Sequence, residues 1–215
     1  MLLLLLFSGV CVAQQGEVVL RLQGGDNAAF GGFGVAQLQG SYSLERHFKA
    51  CAGVGYNTIG RTAVEARPAY FHNLNFGSLR AELMLHYVRQ GAVNNGALGV
   101  GVGFECPYVW ATIGYYHRQM WAEGSQVAEP FNIYYELGIN CLPKLERWDL
   151  RVVFSNSRLL ELERHYQPSL YVDGWWYATT HIGVMVGIGY KPAGMFNITT
   201  DYYQLNGQVG LCYRW

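Results

Sequence analysis

LRAELMLHY, residues 79–87, decides the fold class. In it Leu79, Ala81, Leu83, Leu85 and Tyr87 fall on one side of an extended chain, and Arg80, Glu82, Met84 and His86 on the other. An α-helix, with 3.6 residues per turn, would scatter both sets around its circumference; a β-strand keeps one face apolar and the other polar. The alternation recurs along the chain. Leu98, Val100, Val102 and Phe104 oppose Ala97, Gly99, Gly101 and Gly103, while Ile133, Tyr135, Leu137 and Ile139 oppose Tyr134, Glu136, Gly138 and Asn140. Trp148, Leu150, Val152 and Phe154 oppose Asp149, Arg151, Val153 and Ser155. Later, Ile182, Val184, Val186 and Ile188 oppose His181, Gly183, Met185 and Gly187, and Phe196, Ile198, Thr200 and Tyr202 oppose Asn197, Thr199, Asp201 and Tyr203. The chain is all-β.

Turn-forming residues divide it into strands expected at 17–24, 32–43, 46–57, 62–72, 78–89, 96–105, 108–118, 131–141, 148–157, 177–190, 195–204 and 207–215. That is about twelve, with ten as the alternative count. Most have the roughly 9–11 residues that a tilted strand needs to cross a bilayer. Connections after even-numbered strands are tight, at 44–45, 73–76, 106–107, 142–147 and 191–194. Those after odd-numbered strands are longer, at 24–31, 58–61, 91–96, 120–130 and 158–176, with 205–206 the exception. This sorting predicts a closed up-and-down antiparallel transmembrane barrel with short periplasmic turns and longer extracellular loops. Residues 155–177 keep period two around a Gln167-Pro168-Ser169 turn, and read as a hairpin reaching beyond the membrane rather than a short surface helix.

Composition agrees. The 215 residues suit one domain, and only 14% are charged, about half the share usual in soluble domains. The formal net charge of +0 offers no basic field for nucleic acid. Residues 2–10 form an apolar run too short for a membrane anchor, followed by Cys11 and Ala13 at small-residue positions. The expectation is a signal peptide over 1–13 and a barrel over 14–215. Cys51, Cys106, Cys141 and Cys212 then remain; their spacing fits no zinc pattern, and they read as free thiols in strands.

The C-terminus, VGLCYRW at 209–215, places Val209, Leu211, Tyr213 and Trp215 on one strand face. With the apolar leader, the sorted loops and this aromatic ending, the chain resembles the small outer-membrane β-barrel proteins of Gram-negative bacteria, most of all those of the Bacteroidota. The resemblance implies residence in the bacterial outer membrane among its lipids. It also implies that Val209, Leu211, Tyr213 and Trp215 form the signal read by the barrel-assembly machinery. Activity does not follow from architecture.

In such a barrel the apolar faces look to lipid, and Lys49, Glu65, Arg67, Arg80, Glu82, Glu136, Asp149, Arg151, Asp201 and Arg214 look into the lumen. Tyr42, Tyr56, Tyr70, Tyr87, Tyr190, Tyr202, Trp148 and Trp215 lie towards strand ends, as interfacial girdles do. Opposite charges two residues apart, as at Glu65 and Arg67, Arg80 and Glu82, or Asp149 and Arg151, point to a lumen charge network, with an acid/base pair of Glu82 and His86 as the alternative. Inward Gly99, Gly101, Gly103, Gly183 and Gly187 leave room, which the long charged side chains and Trp110, Tyr134 and Met185 can fill. The reading is a non-enzymatic barrel with a polar, largely plugged lumen, acting as a structural, surface-binding or narrow porin-like protein without metal or cofactor. A lipid-modifying barrel enzyme is the alternative. Phe154-Ser155-Asn156 is similar to the His-x-Ser-Asn segment of lipid A deacylases, but Val153 stands where that family's base belongs. His117, His165 and His181 are the remaining candidate bases for Ser155 or Ser157.

Overall fold

The structure, a computed structural model, describes residues 15–27, 31–44, 47–162, 168–192 and 204–215. Its strands are β1 (Gln15–Asn27), β2 (Gly31–Leu44), β3 (Phe48–Asn57), β4 (Arg61–Leu74), β5 (Gly77–Gln90), β6 (Val93–Glu105) and β7 (Val109–Ala122). They continue with β8 (Ser125–Asn140), β9 (Trp148–Ser155), β10 (Ser157–Arg158), β11 (Glu161–Leu162), β12 (Ser169–Tyr177), β13 (Ile182–Lys191) and β14 (Gln204–Arg214). Among the described residues, twelve strands close an antiparallel up-and-down barrel; β10 and β11 pair only with each other. Closure removes every lateral edge, so the wall satisfies its own backbone groups, which a bilayer could not.

The seam lies between β1 and β14, with register from Glu17↔Arg214 to Asn27↔Gln204. Beyond it, Gly16 N–H donates to the Trp215 carbonyl at 3.2 Å and Trp215 N–H returns a bond at 3.1 Å. Gly16 leaves the space that the Trp215 indole occupies, so a side chain there would have to displace the ring. The outer wall is apolar: Val102, Val186 and Leu211 are 61%, 65% and 57% exposed. A continuous greasy exterior of this kind is a lipid-facing surface. Exposed aromatics mark both rims. Trp148 and Trp176 meet at 6.4 Å, and Tyr213 and Trp215 at 6.1 Å, on the rim holding the termini; Tyr56, Tyr87, Trp121 and Tyr190 lie towards the other.

Several expected boundaries move. The ladder runs to Asn27↔Gly31, Gln90↔Val93 and Ala122↔Ser125, so much of the sequence expected as loop at 24–31, 91–96 and 120–130 extends the wall instead. β9 and β13 both end, and β12 and β14 both begin, at the rim opposite the termini. Leu205 and Asn206 are no turn. They belong to β14 and pair with Tyr190 and Gly189 of β13, which removes the exception to the loop sorting. The strand expected at 195–204 falls almost wholly outside the described residues, as do the leader at 1–13 and Asp201, Tyr202 and His165. The strand expected at 177–190 divides: a turn at 178–181, in which Thr179 Oγ1 accepts from the N–H groups of His181 and Ile182, separates β12 from β13.

The largest correction concerns 155–177. Residues 169–177 are a wall strand, pairing with β9 from Ser169↔Ser155 and with β13 from Leu170↔Tyr190. The hairpin in this region is the short β10–β11 unit, with Leu159 and Leu160 at its tip, and it folds into the barrel instead of out beyond the membrane. Local alternation could not show this, since period two is the same whichever way a hairpin turns.

Candidate functional site

Inward side chains fill the lumen from both sides. Val19, Trp175, Tyr177, Met185 and Cys212 pack on the flank formed by β1, β12, β13 and β14, and Met84, Ala97, Tyr116 and Tyr134 pack opposite. The inward glycines do not leave open space. The Tyr134 ring lies against Gly101 and Gly114, Trp110 against Gly138, and Tyr177 against Gly183, each within 2.7 Å of where a Cβ would stand. Small residues on one strand admit large ones from the next, which is how a close-packed interior is reached.

Across this lumen runs the β10–β11 hairpin. β9 ends at Ser155, and the next three residues steer the chain inward. Asn156 N–H donates to the Tyr135 carbonyl at 3.2 Å, its side-chain amide donates to the Ile133 carbonyl at 3.0 Å, and its side-chain oxygen accepts from Tyr135 N–H at 2.8 Å. The Asn156 side chain therefore stands in for the next strand residue, so β8 keeps its backbone partners while the chain departs. Ser155 Oγ donates to the Tyr135 carbonyl at 3.1 Å and accepts from Ser157 N–H at 2.9 Å, which holds the bend.

The hairpin reaches opposite walls. Arg158 pairs with Asp173 on β12, lies 4.3 Å from the centre of the Tyr171 ring and approaches Gln208 on β14. Glu161 accepts from Tyr171 O–H at 2.6 Å and from the Gln37 amide of β2 at 3.3 Å. At the tip, Leu160 packs against Ala63 and Val88, with its side chain 3.1 Å from where a Gly53 Cβ would sit. Leu160 N–H donates to Glu65 Oε2 at 2.8 Å. Glu65, 1% exposed, also accepts from His86 Nδ1 at 2.7 Å and pairs with Arg67. Its two oxygens thus serve three donors, an arrangement that only a buried carboxylate amid cations sustains.

Leu160 has φ +70°, in the left-handed region that an L side chain enters at a cost of about 1–2 kcal/mol. It keeps this conformation because the bond to Glu65 and the apolar recess in β3, β4 and β5 act together.

The charged residues expected in the lumen meet nearby partners, and Arg67 also lies over the Tyr134 ring. Arg67 joins Glu65, Arg80 joins Glu82 at 2.7 Å, Arg151 joins Asp149, and Arg214 joins Glu17 of β1 at 2.6 Å. Glu136 accepts from Trp110 Nε1 at 2.7 Å. Lys49 follows the inward phase of β3 but is exposed near the terminal rim. His86 pairs with Glu65 and not with Glu82. Sequence reading missed Arg158, Leu160, Glu161, Tyr171 and Asp173; the only signals were the Ser155-Asn156-Ser157 run and the small inward pair Gly53 and Gly55. Among the described residues, no histidine is hydrogen-bonded to Ser155 or Ser157; His181 Nδ1 lies 2.8 Å from the Arg214 carbonyl at the terminal rim.

Neither a protein-family model nor a curated protein sequence matches the chain. Solved structures do match in shape. The KdgM porin is 12% identical with a TM-score of 0.58, covering 92% of this chain and 98% of the porin. The NanC porin is 11% identical with a TM-score of 0.60, covering 90% and 98%. This is the fold of an outer-membrane β-barrel. The translocator domain of the autotransporter NalP from Neisseria meningitidis, 11% identical with a TM-score of 0.56 and coverage of 97% and 90%, shares it too. Porins and a translocator thus have one barrel in common, and at these identities the likeness carries fold and not activity. With its closed wall and apolar exterior, the barrel resides in the bacterial outer membrane.

Proposed function

We propose that this chain is a non-enzymatic outer-membrane barrel whose lumen is held shut, in the conformation described, by its own inward hairpin. The observation that supports this most is the tip: Leu160, strained and 3% exposed, is hydrogen-bonded to the buried carboxylate of Glu65. A connection that merely joined two wall strands would lie over the rim, where no strain is needed. The paired charges and the aromatic rings seated on inward glycines support the same reading, because they leave little continuous path for solute. The barrel then acts as a narrow, closed pore whose opening requires the hairpin to withdraw.

Planar-bilayer recording tests it. The purified barrel should show little steady conductance. Glu65→Ala, which strips Leu160 N–H, His86 and Arg67 of their shared acceptor, should give openings that the unmutated protein lacks, and should lower stability by about 3–5 kcal/mol in chemical unfolding if the barrel remains closed around the unpaired groups. Large, stable currents from the unmutated barrel would defeat the proposal. Ser155 Oγ donates to the Tyr135 carbonyl and not to a base, which does not favour Ser155 as the nucleophile of the lipid-modifying alternative.

A further inference from the structure

The outer wall carries polar groups where an apolar surface is expected. On β7 the outward phase passes from Ala111, Ile113 and Tyr115 to His117, Gln119 and Trp121. His117 is opposite Leu98 of β6 and Gln119 opposite Gly96, one row higher; Arg89 of β5 is outward one row higher again, opposite Asn94, which itself faces Trp121. His117, Gln119, Leu98 and Gly96 line, with Leu85, Tyr87 and Trp121, a groove of about 500 Å³ on the outer wall, and Arg89 stands one row above Tyr87, just beyond the lining. Gly96 makes the groove: a Cβ there would stand 3.1 Å from the Trp121 ring. The Tyr87 and Trp121 rings, 6.3 Å apart, place its upper end at the aromatic girdle of the rim opposite the termini.

Among the described residues, the side chains of His117, Gln119 and Arg89 have no hydrogen bond or ion pair. Ionisable and amide side chains facing lipid without a protein partner are costly, and they persist where something else supplies the partner. His117 lies below the Tyr87 and Trp121 rows, where water is scarce, and the wall around the groove is apolar. What surrounds it is lipid.

We infer that the groove is a fixed binding site for one phosphate-bearing lipid of the outer leaflet, with an acyl chain along Leu98 and Gly96. The headgroup phosphate is met by Arg89, and His117 and Gln119 bond the ester or amide oxygens just beneath it. Charge complementarity selects this occupant over a neutral lipid: Arg89 is the outward cation one row above the groove, and no carboxylate side chain lines the groove's membrane side, the Glu65 side chain pointing into the lumen. The inference depends on the membrane placement of the wall and not on whether the lumen conducts, so bilayer currents do not bear on it.

Native mass spectrometry of the full barrel tests it, with dioleoyl phosphatidylglycerol and dioleoylglycerol supplied separately in mixed detergent micelles. The unmutated barrel should retain one phosphatidylglycerol, and roughly tenfold less dioleoylglycerol, the margin of one charge-assisted contact. Arg89→Gln should bring phosphatidylglycerol towards the dioleoylglycerol level, His117→Leu should lower retention of both lipids through the ester oxygens they share, and Gly96→Val should reduce retention of both by closing the groove. Heat-modified gel mobility reports folding in each variant. Should Gly96→Val fail to fold, the two outward variants, which remove no packing from the lumen, decide alone. Equal retention of the two lipids, or retention untouched by Arg89→Gln and His117→Leu, would overturn the site and leave only unspecific annular lipid.

Discussion

At the scale of single residues, Leu160 concentrates the argument. Its φ of +70° would suit glycine, yet the side chain fills an apolar recess against Ala63 and Val88. The two demands make opposite predictions about substitution. Leu160→Ala loses the packing and keeps the strain, whereas Leu160→Gly loses the same packing and relieves the strain. The glycine variant should therefore be the more stable of the two by about 1 kcal/mol, read as the midpoint difference in chemical unfolding of the refolded barrel. An alanine variant at least as stable as the glycine variant would mean that Leu160 is not held in the left-handed region. Glu65 gave a legible signal in sequence, as a carboxylate two residues from Arg67 on an inward face, but its acceptance of a backbone N–H from a residue 95 positions away did not.

At the scale of elements, the inward hairpin depends on how β8 is satisfied where β9 stops. Asn156 answers three backbone groups of β8 with one backbone and one side-chain amide. Asn156→Ala should leave Tyr135 N–H and one bond to the Ile133 carbonyl unmade, a loss of about 1–3 kcal/mol. Faster hydrogen exchange at Tyr135 than at residues in the middle of β8 is the expected result; unchanged protection there would count against the side chain as a surrogate strand. The wall strands themselves were legible because a two-sided environment, lipid outside and packed lumen inside, writes period two into each of them. Residues 155–177 were not, because a hairpin that enters the lumen and one that leaves the membrane have the same alternation. The difference is made by Asp173, Gln37, Tyr171 and Glu65, which come from three separate wall strands, β12, β2 and β4.

At the scale of the whole molecule, the barrel stands on its seam. Arg214 and Glu17 pair across it at 2.6 Å, and Trp215 exchanges two backbone bonds with Gly16. Deleting residues 213–215 removes the end of this ladder together with the aromatic residues on which assembly is expected to depend. The variant should be depleted from outer-membrane fractions while total synthesis is unchanged, as measured by immunoblot; a folded barrel at undiminished level would show that neither the seam end nor Trp215 is needed.

The sequence by itself determined that the chain is a barrel, that its ends share one rim, which faces lie in lipid, and that inward charges are paired with neighbours. Each of these follows from local periodicity and from the order of turns, which a chain exposes residue by residue. Only the tertiary structure decided which segment crosses the lumen, that Gly114, Gly138 and Gly183 receive aromatic rings from adjacent strands, and that His117 and Gln119 line one groove with Gly96 and Leu98. The physical reason is common to all three: a strand's own sequence states which face is inward, but what meets that face is set by residues far away in the chain, brought there only when the barrel closes.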